Sequence, residues 1–64
     1  MHEEELKQYL NKNVRIILKN SFNYSAKIIK VNSDCIQILD KYSNEVLIDN
    51  DQISIITMEA TNGN

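Results

Sequence analysis

Sixty-four residues make one small domain, and a formal net charge of -2 at pH 7 argues against a generic phosphate-binding surface, which is usually strongly basic. A single cysteine, Cys35, excludes an internal disulfide, and a single histidine, His2, near the terminus gives no basis for a metal site. A chain of this size buries only about 60% of its unfolded surface, so tight packing or assembly with further copies has to supply stability.

The absence of a long apolar run or a leader-like segment leads us to expect a soluble, cytoplasmic protein with no membrane partner. Proline is absent and the one glycine is Gly63, so the nine asparagines are expected to do much of the turn work that glycine usually does.

Glu3 to Asn11 reads as a short helix. Acids at its start, with Lys7 and Lys12 toward its end, complement the helix dipole. Leu6, Tyr9 and Leu10 fall on one face, which must dock on something because so short a helix does not persist alone. Asn11 or Asn13 can close it in the left-handed conformation.

From Asn13 the period changes to two. Val14, Ile16 and Leu18 alternate with Arg15, Ile17 and Lys19, predicting a strand over 13–19. Asn20-Ser21 turns the chain into a long strand over 22–32, with Tyr24, Ala26 and Ile28 on one face and Ser25, Lys27 and Ile29 on the other. The alternation slips near Ile28-Ile29, which predicts a bend or bulge there. After a turn at Asn32-Ser33-Asp34 come strands over 35–40, 45–49 and 52–58, with a loop at Lys41-Tyr42-Ser43-Asn44. Residues 1–58 are therefore expected to form the domain, and the polar segment 59–64 a disordered tail.

Ile17, Ile29, Val31, Leu47 and Ile56 are apolar on what should be the second face of their strands. Burial on both faces of so small a sheet predicts a mainly β fold: a short N-terminal helix and a five-stranded, strongly bent antiparallel small barrel. The last strand carries no proline or lysine to blunt its edge. It either closes the barrel or pairs with another chain, and repeated head-to-tail pairing closes a ring. Val46, Ile48, Ile53, Ile55 and Ile56 are the expected oligomer interface.

One helix followed by five strands resembles the Sm/Lsm family, bacterial Hfq and archaeal Sm-like proteins among them, over roughly residues 4–58. The family's first motif is matched without a gap: Leu18-Lys19-Asn20-Ser21 takes its turn, Tyr24 its aromatic, Ala26 its glycine and Ile28 its aliphatic residue. Asn32 then stands for its aspartate, Ile36 for its asparagine and Leu39 for its leucine. The second motif, Ile-Arg-Gly-Asp-x-Ile-x-x-Ile, corresponds to Ile48-Asp49-Asn50-Asp51-Gln52-Ile53-Ser54-Ile55-Ile56. The Asn50-Asp51-Gln52 corner then resembles the turn between the family's fourth and fifth strands.

The resemblance implies an Sm-like, SH3-like small barrel and a homo-oligomeric ring of about six or seven subunits that binds single-stranded RNA. By family position Asn32, Asp34, Ile36, Asp49 and Asn50 are the RNA-site candidates. Their chemistry departs from the family's: Ile36 cannot hydrogen-bond a base, and Asp49 puts an anion where the family has a stacking cation. The uridine pocket is therefore not carried over, and altered or weakened uridine specificity is expected.

Other residues have two readings each. Asp49, Asn50 and Asp51 are a solvated turn or an acidic rim, and Asn32 is a turn residue or a rim donor. Tyr24 packs in the core or at an interface, and Tyr42 is a surface ring able to stack on a base. Arg15, Lys19 and Lys27 share an outward face that either binds phosphate or keeps the strand solvated. Cys35 reads as a buried, inert thiol.

The sequence offers no nucleophile–base pair, phosphate loop or metal cluster, so neither enzymatic activity nor a cofactor is expected. An RNA-binding ring is the leading expectation. An oligomeric scaffold or protein-binding module without RNA is the alternative.

Overall fold

In the computed structural model, which describes residues 1–59, the period-two segments form five antiparallel strands behind one helix. The elements are α1 (Glu3–Lys7), β1 (Asn13–Leu18), β2 (Asn23–Val31), β3 (Cys35–Asp40), β4 (Glu45–Asp49), a 3-10 turn (Asn50–Gln52) and β5 (Ile53–Met58). They make one sheet in the order β4-β3-β2-β1-β5.

Register explains the core. Val14 pairs with Ala26 and Ile16 with Tyr24 across β1 and β2, Ile28 with Ile38 across β2 and β3, and Ile36 with Ile48 across β3 and β4. Strand side chains alternate, so these pairs point to one face, and Leu6 of α1 and Ile53 of β5 join them in the buried cluster. Glu5 Oε1 accepts the His2 backbone N–H at 3.1 Å, steadying the start of a helix too short to stand without Leu6 in the core.

The route of the chain forces the sheet to curl. β4 and β5 are the opposite edges, and four strand spacings of about 4.8 Å would hold them about 19 Å apart if the sheet were flat. Asp49 and Ile53 are joined by four virtual bonds, at most about 15 Å extended and near 8 Å at the rise of a 3-10 turn. The bend is taken up at two irregularities, one in β2 between Ile28 and Lys30 and one opposite Ile17-Leu18, where β5 carries an extra residue between Ile53 and Ile55. The first lies where the alternation slips in sequence. The edges do not pair with each other, so the sheet is strongly curved without closing into the expected barrel.

Several expectations need correction. Helix α1 ends at Lys7, short of Asn11, because the next residues leave the helix to bond β2: the Asn11 N–H donates to Ile28 O at 2.6 Å and the Ile28 N–H to Lys12 O at 3.3 Å. Asn11 is left-handed (φ 65°), but the other left-handed residues among those described are Ser21 and Ser43, not asparagines. Asn20 instead uses its side chain, accepting the Phe22 N–H at 3.0 Å. Cys35 is half-buried, because its place opposite Asp49 is on the face away from the core. The Glu59 N–H donates to Asn13 O at 3.1 Å, so the β1–β5 ladder reaches one residue beyond the expected domain limit. The rest of the expected tail, residues 60–64, lies outside the described residues.

The β3–β4 turn is organised by one carboxylate. Asp40 Oδ1 accepts the N–H groups of Tyr42 at 2.8 Å and Asn44 at 2.9 Å. The Asn44 N–H is the main cause holding this carboxyl below the ordinary range, against a smaller opposing effect of burial; Tyr42, the Asn44 amide and Lys41 add to the lowering. A depressed folded pKa stabilises fully above the unfolded value and is lost as pH falls through the folded one. We therefore expect Asp40→Asn to lower the urea midpoint at neutral pH, and the gap from wild type to narrow in acid. A gap of equal size at both pH values would show that the charge is not what holds the turn.

Candidate nucleic-acid interface

Four of the five family-position candidates meet at one end of the molecule, around the corner that joins the two sheet edges. Asn50 is its centre. The Asn50 N–H donates to Asp34 O at 2.9 Å, and its Nδ2 donates to Asn32 O at 3.0 Å and Ser33 O at 3.1 Å. Asn50 O accepts the Met1 amino group at 2.8 Å. The residue is 3% exposed, and its Oδ1 is buried without a partner among the described residues. On the other side of the corner the Lys19 N–H donates to Gln52 O at 2.8 Å.

This geometry resolves the two readings of the corner differently for each residue. Asn50 is buried, and its Nδ2 is engaged by the β2–β3 turn while its Oδ1 has no partner among the described residues. Asn32, Asp34, Asp49 and Asp51 have exposed side chains around it. Ile36, the fifth candidate, is 0% exposed in the core beside Ile48, so its side chain does not line an open surface.

The expected interface residues also divide. Ile53 and Ile48 are buried in the chain's own core, and Val46 and Ile56 pack against it half-buried. Ile55 is 50% exposed on the outer face, where it pairs with Ile17. Leu47, 68% exposed on the outer face of the opposite edge, was not among the expected interface residues. Its signal was present in sequence, since it breaks the alternation of β4 with an apolar side chain on the solvent face.

The outer face also carries cations. Arg15 pairs with Ser25, and Lys27 pairs with Asn13 on one side and Leu39 on the other. Lys19 lies past the end of β1 in the turn, so it does not share their row. A cleft of about 430 Å³ opens here, lined by Asn13, Ser25, Lys27, Leu39, Lys41 and Glu59 among others. Glu59 Oε2 lies across it, accepting from Ser25 Oγ at 3.0 Å and facing Arg15 Nη2 at 3.8 Å. At the rim, Lys41 Nζ stands 5.6 Å from the Tyr42 ring centroid, and that ring is exposed. Sequence reading missed Ser25, Lys41 and Glu59 as a group, because only cross-strand register brings them together.

Among the described residues no three His, Cys, Asp or Glu side chains are grouped to hold a metal, and no helix is long and apolar enough to cross a membrane. Replacing Asn50 with alanine leaves two turn carbonyls without their donor. We expect a loss of about 1–3 kcal/mol in urea denaturation. An unchanged midpoint accompanied by altered RNA binding would instead make Asn50 a ligand residue. Compared with known families, curated proteins and solved structures, the chain matches no family model, no curated protein and no solved structure.

Proposed function

We propose that this protein assembles edge to edge into a closed homo-oligomeric ring, β4 of one copy against β5 of the next, and that the ring binds single-stranded RNA without a uridine-specific pocket. The observation that carries the reading is the pair of open edges. Among the described residues, β4 and β5 each leave one side without a neighbouring strand, and each carries an exposed aliphatic residue, Leu47 or Ile55, on the same face of the sheet. Pairing the two edges would satisfy the backbone and bring these side chains to a common seam. Such a contact is head-to-tail, and it closes when the rotation per copy divides a full turn. About six or seven copies is the number that the Sm-like resemblance implies.

RNA binding rests on that resemblance and on the cations of the outer face. Repetition around a ring multiplies contacts that are weak singly. The corner does not support base reading: Asn50 is engaged within the chain, Ile36 is in the core and Asp49 is an exposed anion. The same observation favours a second reading, in which the ring scaffolds a protein partner and binds no RNA.

Light scattering should give a mass that is a multiple of the single chain. Ile55→Lys, a charge on the outer face of an edge strand, should shift it to the single-chain mass. A monomeric wild type removes the ring, and a variant that keeps the wild-type mass removes β5 as its seam. Fluorescence polarisation with U-rich, A-rich and mixed RNAs at two salt concentrations separates the readings. Affinity that falls at high salt without U preference supports RNA binding through phosphate. An assembled protein that binds none of the three at low salt is the scaffold.

A further inference from the structure

We propose that the outer face of β1, β2 and β3 holds a phosphate-binding site centred on Ser25, and that the Glu59 carboxylate occupies it as an internal substitute for the ligand. The site is complete within one chain, so it stands or falls separately from ring assembly.

Three features converge. Register puts the Ser25 hydroxyl directly across from Arg15, with Lys27 two residues further along the same face of β2. A hydroxyl donor, a guanidinium and an ammonium are the groups that hold phosphate oxygens, the first two with directed hydrogen bonds and the third as a point charge. Next, Ser25 and Lys27 border a cleft of about 430 Å³, space enough for a small anion, with Leu39 as an apolar wall and Lys41 as a further cation on its border.

The third feature is an anion already in place. Glu59 Oε2 takes the Ser25 hydroxyl at 3.0 Å and lies 3.8 Å from Arg15 Nη2. Glu59 follows the last strand and is tied to β1 by its backbone N–H on Asn13 O, so its side chain can leave the cleft while the ladder stays paired. Its side chain is 34% exposed and that of Arg15 56%, so the ion pair is weak and open to competition. The other acid bordering the cleft, Asp40, has its carboxylate turned to the N–H groups of Tyr42 and Asn44.

Phosphate can come free or as the phosphodiester of a single-stranded nucleic acid, and the test has an arm for each. Inorganic phosphate and a short mixed-sequence RNA are titrated separately into ¹⁵N-labelled protein, followed by amide shifts. Saturable shifts centred on Ser25 and its β1 partners are expected with one or both probes. Phosphate alone identifies a free-anion site, and RNA binding more tightly than phosphate identifies a phosphodiester site. Glu59→Gln should tighten the effective probe about two- to fivefold, as removal of a half-exposed ion pair implies. Glu4→Gln removes the same charge from the helix and should leave affinity unchanged. The Arg15→Ala, Lys27→Ala double variant should lose saturation. Ser25→Ala, a smaller change, replaces it if the double variant loses native shift dispersion, and should weaken the effective probe. Absence of shifts at Ser25 with both probes overturns the proposal. So does an affinity that Glu59→Gln leaves unchanged, or that Glu4→Gln raises equally.

Discussion

A 3-10 turn of three residues has to carry the chain from one edge of a five-stranded sheet to the other. No flat sheet permits this, because the gap exceeds the reach of the link. Curvature is therefore a consequence of connectivity. The bulge in β2 and the register shift between β1 and β5, at Ser54, are where the strands yield, and the curl wraps the apolar rows of all five strands around one another. Leu6 of α1 completes that cluster in place of a sixth strand.

The corner's own composition follows from this task. A tight link between distant strands has to be anchored from both flanks. Asn50 does so toward the β2–β3 turn and Gln52 O toward the β1–β2 turn. Burying an amide is unfavourable unless it is bonded, and Asn50 Nδ2 meets two turn carbonyls, while its Oδ1 has no partner among the described residues. The polar side chains that look from sequence like a ligand rim are thus divided between internal work and exposure: Asn50 is held within the chain, and Asp49 and Asp51 face solvent. The same curvature leaves β4 and β5 as the two edges of the sheet, without a further strand beside either among the described residues.

Charge on the outer face has a similar double character. The chain is acidic overall, yet Arg15 stands opposite Ser25, Lys27 and Lys41 line the same cleft as that serine, and Glu59 faces Arg15 from the end of β5. Reading each lysine by itself suggests a solvated strand face. The pairing of β1 with β2 is what turns scattered cations into a local arrangement with a defined centre.

The order and type of the five strands were legible in the sequence, because residues 13–58 follow a period of two broken by short polar turns, though Gln52, expected in the last strand, belongs to the 3-10 turn. The slip at Ile28-Ile29 even marked the bulge, since one extra residue must shift the apolar row to the opposite face. Local pattern could not show that α1 stops at Lys7, because its end is set by hydrogen bonds to Ile28 across the fold. Nor could it separate Ile53, which fills the core, from Ile55, which stands half-exposed at an edge. The register of β5 on β1 decides that, and with it the role of Glu59: such partners are chosen by the three-dimensional pairing of segments more than thirty residues apart, to which no local periodicity refers.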